Sequence, residues 1–178
     1  RVPDLTFTLL VTGALSASFI PLFSKRLLSV SRRRTAWRLT NSILNILGIA
    51  FLIIAIAGII FADPLASLIA PGFNEYKQGI VASFMRVMFI SNFLLGLSTV
   101  FGSALQGLKR FFLFSLAPVF YNIGIIIGVV FFVDWFGTIG LAWGVVLGAF
   151  LHLLVQLYGV MQSGYRYKWI LDLDDPDT

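Results

Sequence analysis

Along the chain, long apolar runs alternate with short polar connections. A hydrocarbon core about 30 Å thick needs roughly 20 apolar residues at about 1.5 Å rise each. Five runs reach that length: 2–24, 39–62, 80–105, 111–133 and 138–160. None shows the strict two-residue alternation over about ten residues that a barrel strand would need. The pattern predicts an all-α, polytopic membrane protein with five transmembrane helices.

Charge then orients the spans. The connection after the first run carries Lys25, Arg26, Arg32, Arg33, Arg34 and Arg38 with no acid. The next, 63–79, holds Asp63, Glu75 and only Lys77. Lys109 and Arg110 form a short basic turn, Asp134 stands alone in the fourth connection, and Arg166 and Lys168 follow the last run. Cations therefore alternate from one side to the other, as successive crossings require when the cytoplasmic side is enriched in lysine and arginine. Loops 25–38 and 109–110 are expected inside, and loops 63–79 and 134–137 outside. The arginine run is read as an orientation signal that also attracts anionic headgroups, so the net charge of +5 implies no nucleic-acid partner.

Polar and helix-breaking residues within the runs carry the finer information. Asp4, Thr8, Thr12 and Ser16 recur every four residues and share one helical face. Asp4 also follows Pro3, where a first helical turn favours an acid. Pro21 and Pro118 interrupt apolar runs, and Gly96 and Gly102 lie in the third. Gly140, Gly144 and Gly148 form a small-residue stripe that lets another helix approach closely. Ser91, Asn92, Asn122, His152 and Gln156 are expected to bond between helices. Arg86 is placed near the outer end of its span, either snorkelling to the interface or facing an aqueous cavity.

Composition narrows the chemistry. The chain is 58% hydrophobic and 12% charged, and lacks cysteine, which removes thiol nucleophiles and thiolate metal sites. His152 is the single histidine, so no histidine-rich metal centre is expected. No paired intramembrane carboxylates, nucleophile with adjacent base or phosphate-binding loop is present. A transporter without cofactor, rather than an enzyme, is the expectation. The first run has no basic leader or cleavage site and does not read as a signal peptide. Because the sequence lacks an initiator methionine and opens inside an element, a cropped chain is expected.

Five strings sharpen this reading: GALSASFIPLFSK, APGF at 70–73, SALQGLKRF, LAPVFYNIG and GLAWGVVLGAFLHLLVQL. In this order they resemble the MurJ (MviN) family, the lipid II flippases of the MOP superfamily, over nearly all of the chain to Gln156. The resemblance implies that the five spans are the second to sixth of fourteen, and form part of a MOP-type (MATE-like) N-terminal lobe. It places an incomplete bundle at 1–162 and an acidic tail, or linker to a second lobe, at 163–178. The implied activity is transfer of a polyprenyl-pyrophosphate-linked sugar between leaflets of the bacterial inner membrane by alternating access. The implied partners are that lipid-linked oligosaccharide pyrophosphate, membrane lipids, and the first helix and second lobe of a parent chain. Arg1 matches a basic position before Pro3, and Gly13, Ala14, Ser16, Phe19 and Pro21 fit the pattern of the cavity helix. Phe7 and Thr8 stand where many members carry arginines, and Thr12 where they carry glutamate. Candidate cavity residues are Arg1, Asp4, Thr8, Thr12, Ser16, Arg86 and Asn122. Candidate packing or hinge residues are Gly13, Pro21, Pro118, Gly140, Gly144 and Gly148. The alternatives are a polysaccharide-lipid or multidrug exporter of the same superfamily, or a truncated scaffold without transport.

Overall fold

The computed structural model describes residues 19–27 and 33–170. The body of the first expected span, with Arg1, Asp4, Thr8, Thr12, Gly13 and Ser16, lies outside the described residues. A short helix α1 (Ile20–Leu27) includes Pro21. Four long apolar helical stretches follow. They are α2 (Arg33–Ile60), α4 (Glu75–Gly107), the run from Phe111 to Phe136, and α7 (Ile139–Met161). The run 111–136 comprises α5 (Phe111–Ile127), one π-helical turn (Gly128–Phe132) and α6 (Val133–Phe136). Between α2 and α4 sits a two-turn helix, α3 (Ala62–Ile69).

The helices overrun the apolar segments because polar residues can continue a helix once it has left hydrocarbon. At about 1.5 Å per residue, the 28 residues of α2 extend about 42 Å, and the 33 of α4 about 50 Å. Both exceed the thickness of the apolar layer. The start of α4 is set by Asn74, whose side chain accepts a 3.0 Å bond from the Lys77 amide, with Glu75 in the first turn. Pro64 falls in the first turn of α3, where its missing N–H is harmless, and Pro71 comes two residues after that helix ends, directly behind its C-cap Ala70. The turn into α7 passes through Gly137 at φ +63° and ψ −150°, a conformation that side chains resist.

Packing is uneven, and the unevenness identifies the solvent. α7 is central, lying against both α4 and α5, while α2 packs on α4. A buried aromatic chain occupies the end bearing the basic loops. Phe19 stacks on Phe23 (5.3 Å), Phe23 meets Trp37 (5.4 Å), Trp37 meets Tyr165 (5.4 Å) and Tyr165 meets Phe101 (5.5 Å). Pairs of this kind contribute about 0.5–1.5 kcal/mol each beyond their area burial. Elsewhere the outer faces are apolar: Leu52, Ile53, Ile54 and Ile56 all point away from the bundle. In water such a surface would drive association, whereas against lipid it is the expected solvent-facing side. At the opposite end, Ala62 and Ala66 bury against Ala82, which holds α3 to α4.

Candidate functional site

Polar side chains inside the bundle gather where α4 faces α7. Ser98 Oγ lies 2.7 Å from His152 Nδ1, so the two share one proton between helices, and Tyr121 presents its ring edge to the imidazole at 6.4 Å. One turn further along α7, Gln156 is fully buried beside Gly102, which has no side chain to exclude the amide. Among the described residues its Oε1 has no partner. A buried amide oxygen without a donor costs about 1–3 kcal/mol, so this point of the seam is a place for an added donor rather than for tight apolar packing. Ser91, also buried, bonds back to the Met88 carbonyl at 2.8 Å. The interhelical bond expected of His152 thus has Ser98 as its partner.

Next to this seam, α5 and α7 touch through their backbones. Gly124 lies against Gly148, Gly128 against Gly144, and Gly140 against the Phe132 carbonyl. Gly148 also meets the Tyr121 carbonyl. The two stripes, 124–128 and 140–144–148, share the four-residue spacing of one helical face. Such contacts exchange side-chain bulk for dense backbone packing, the usual means of association where lipid removes any hydrophobic drive between helices. The π-helical turn coincides with this contact, and Phe132 O sits at its end. α5 continues through Pro118, and the departure from regular geometry comes ten residues later, at 128–132.

A third polar group ties the chain's later residues to α2. After α7, Tyr165 donates from its hydroxyl to Asn41 Oδ1 (2.7 Å), and the Lys168 amide donates to the same oxygen (3.3 Å). Asn41 Nδ2 donates to the Arg166 carbonyl (3.2 Å). One turn along α2, Asn45 Nδ2 donates to the Ile170 carbonyl (2.9 Å) and Tyr167 donates to Asn45 Oδ1 (2.9 Å). The two asparagines are about 6 Å apart along the helix, close to the roughly 6.6 Å between alternate residues of an extended segment. The helix is therefore a ruler for the tyrosine pair. Burial above all, and then Tyr167 beside it, pushes the Tyr165 phenol above its ordinary range, so it stays a hydrogen-bond donor.

Of the candidate cavity residues, two fall within the described part. Arg86 pairs with Asp63 of α3 at 2.5 Å, with side chains 38% and 66% exposed. Asn122 donates to the Pro118 carbonyl of its own helix at 2.8 Å. Measured along their helices from the shared turn at 107–111, the two lie roughly 15 Å apart in depth, so they do not meet. The Asp63–Arg86 pair is open to solvent and screened accordingly. Asp63→Asn is expected to cost less than about 1 kcal/mol, and less again at high salt, as read by thermal unfolding in detergent. A loss of several degrees insensitive to salt would contradict this.

Four long apolar helices packed through small residues, with the polar groups turned inward, define a multi-pass α-helical membrane protein. Comparison with known proteins narrows the class. The family model for the lipid II flippase MurJ matches residues 1–178, and the chain belongs to that family. It is 32% identical over 163 residues to a protein of Buchnera aphidicola subsp. Schizaphis graminum named "Probable lipid II flippase MurJ", covering 88% of this chain and 31% of that protein. It is 28% identical over 164 residues to the "Lipid II flippase MurJ" of Burkholderia cenocepacia, covering 90% and 32%. A Borreliella burgdorferi relative, "Probable lipid II flippase MurJ", is 26% identical over 172 residues, covering 94% and 33%. The chain spans about a third of the length of these curated relatives. Family and fold together place it among multi-pass proteins of the bacterial inner membrane.

Proposed function

We propose that this chain forms part of the N-terminal lobe of a flippase that carries lipid II, a polyprenyl-pyrophosphate-linked sugar, from the inner to the outer leaflet by alternating access. The observation that carries the proposal is the family match over the whole chain. The bundle supplies a physical complement. Backbone contact between α5 and α7 makes a stiff unit, and a stiff unit is what must rock against a second lobe if access is to alternate. On this reading 1–162 belongs to the lobe and 163–178 leads from it toward the rest of the parent chain.

Arg1, Asp4, Thr8, Thr12 and Ser16 line the cavity in this proposal, with Arg86 and Asn122 at its margin. Lys and Arg bias puts 25–38 and 109–110 on the cytoplasmic side and 63–79 and 134–137 outside. Exposed aromatics support two interfaces: Trp169 and Tyr167 at the basic end, Trp135, Phe136 and Tyr76 at the other. The work is movement of a headgroup rather than bond chemistry, and needs no cofactor.

Depletion of the parent protein tests this. Lipid II is expected to accumulate in the inner leaflet while newly made cell wall stops receiving subunits. Unchanged export, in cells without a second flippase, would refute it.

A further inference from the structure

At the end of the bundle opposite the basic loops, a groove of about 420 Å³ runs between the first turns of α4 and the start of α7. Two neighbouring rows of α4 line it: Glu75, Gly79 and Ser83, and beside them Tyr76, Ile80 and Phe84, each at four-residue spacing. Ile139, the first residue of α7, closes the far side. We propose that this groove seats a membrane phospholipid whose headgroup carries a primary ammonium, with Glu75 accepting hydrogen bonds from that ammonium.

The two rows give the groove two unlike edges. The first is low: Gly79 has no side chain, and a Cβ there would meet nothing within 4 Å. Ser83 turns its hydroxyl back onto the Gly79 carbonyl at 2.9 Å, which holds it against the helix and leaves its oxygen able to accept. The second row is tall and largely apolar. A trough that is polar along one edge and apolar along the other suits an amphipathic occupant, and it rises about 14 Å from Phe84 to Glu75.

Charge complementarity selects the headgroup. Glu75 is exposed at the mouth, while Lys77 of the same turn lies over the Phe73 ring, 5.8 Å from its centre, and does not line the groove. A primary ammonium donates charge-assisted N–H bonds to a carboxylate, which a choline group cannot, and a headgroup of net negative charge is repelled. Tyr76, 77% exposed, adds a hydroxyl donor for the phosphate. The level is also that of a lipid headgroup. Ile139 begins the apolar run of α7, and Trp135 and Phe136 just before it are exposed, as rings seated at an interface are. From Ile139 an exposed apolar stripe descends one face of α7 through Trp143, Phe150 and Leu154, a track for acyl chains. A soluble amine would use the carboxylate and leave this stripe bare. The site is separate from the cavity residues proposed for transport, and its occupation does not depend on the flippase reading.

The test places the parent protein in nanodiscs of equal parts phosphatidylethanolamine, phosphatidylcholine and phosphatidylglycerol, and counts retained lipids by native mass spectrometry. The wild type is expected to retain phosphatidylethanolamine above the other two. Glu75→Gln should lower that preference by about five-fold, the upper range for an exposed charge pair. Glu75→Lys should transfer the preference to phosphatidylglycerol. Gly79→Leu fills the groove without meeting a neighbour, and should remove the retained phosphatidylethanolamine. Asp134→Asn changes an acid at the same end that does not line the groove, and should leave the preference as it is. Thermal unfolding accompanies each variant, and should Glu75→Lys fail to fold, Glu75→Gln and Gly79→Leu decide the matter. An unchanged preference in the folded Glu75 variants would overturn the proposal. So would displacement of the lipid by excess phosphoethanolamine in solution, which would make this a soluble-amine site. A wild type without preference, together with a lowered thermal midpoint in Gly79→Leu, would assign the groove to another segment of the parent chain and equally overturn it.

Discussion

Gly144→Ala is expected to lower the thermal midpoint of the bundle by about 10 °C, and Gly144→Val to prevent α5 and α7 from docking at all. A methyl group on Gly144 would stand 2.6 Å from the Cα of Gly128, where carbon atoms prefer about 3.5–4.0 Å. Nothing can yield cheaply, because the obstacle is backbone rather than the end of a side chain. The helices must separate by about 1 Å, and separation also loosens Gly124 against Gly148 and Gly140 against Phe132. Overpacking costs about 1–3 kcal/mol where side chains can adjust, so about 3 kcal/mol is a floor here. In a chain of this size that corresponds to a shift of about 6–12 °C. Gly79→Ala is the control: open space surrounds it, it lies in a helix, and alanine there should be neutral or slightly stabilising. Unfolding in detergent followed by circular dichroism reads both. Equal midpoints for Gly144→Ala and wild type would show that the glycine contact contributes nothing.

The same seam shows what a sequence carries and what it does not. A spacing of four, as in Gly140, Gly144 and Gly148, is visible by inspection, because one helical face repeats at that interval. The opposing pair, Gly124 and Gly128, has the same spacing but does not stand out, since two glycines in an apolar run look like ordinary composition. Four long helices were legible from run length alone, because bilayer thickness imposes it. Their ends were not. Arg33 to Arg38 continue α2 beyond hydrocarbon, where nothing penalises a charged helical turn. The loop 63–79 hides α3, whose Ala62 and Ala66 are too few to make an apolar run yet bury against Ala82. A lone histidine in an apolar run marks His152 as a bonding residue, but its choice of Ser98 depends on the rotation of α4 and α7, which no local pattern encodes. The least legible feature is the attachment of 165–170 to α2, because its partners are about 125 residues apart in sequence.

That attachment yields the second large effect. Asn41→Leu should release 165–170 from α2, and trypsin should then cut after Arg166 and Lys168 far faster than in the wild type. Asn41 fills three roles at once: it accepts from the Tyr165 hydroxyl and the Lys168 amide, and it donates to the Arg166 carbonyl. Leucine preserves bulk but none of these, and leaves the Tyr165 hydroxyl in a pocket where that residue is only 5% exposed. An unsatisfied buried group costs about 1–3 kcal/mol, so losing several partners together should raise the open population of the segment by about a hundred-fold or more. Amide exchange at Tyr165 to Ile170 should accelerate by the same factor, while the α5–α7 seam remains protected. Tyr165→Phe removes one bond and should produce the smaller part of the change. Alkali gives an independent check of sign. Because the phenol is held above its ordinary range, the neutral donor stabilises the clasp below about pH 10, and that contribution fades as pH rises through the raised value. Release should therefore accompany ionisation in wild type and be blunted in Tyr165→Phe. If Asn41→Leu left cleavage and exchange unchanged, the aromatic contacts of Tyr165 with Trp37 and Phe101 would have to hold the segment by themselves.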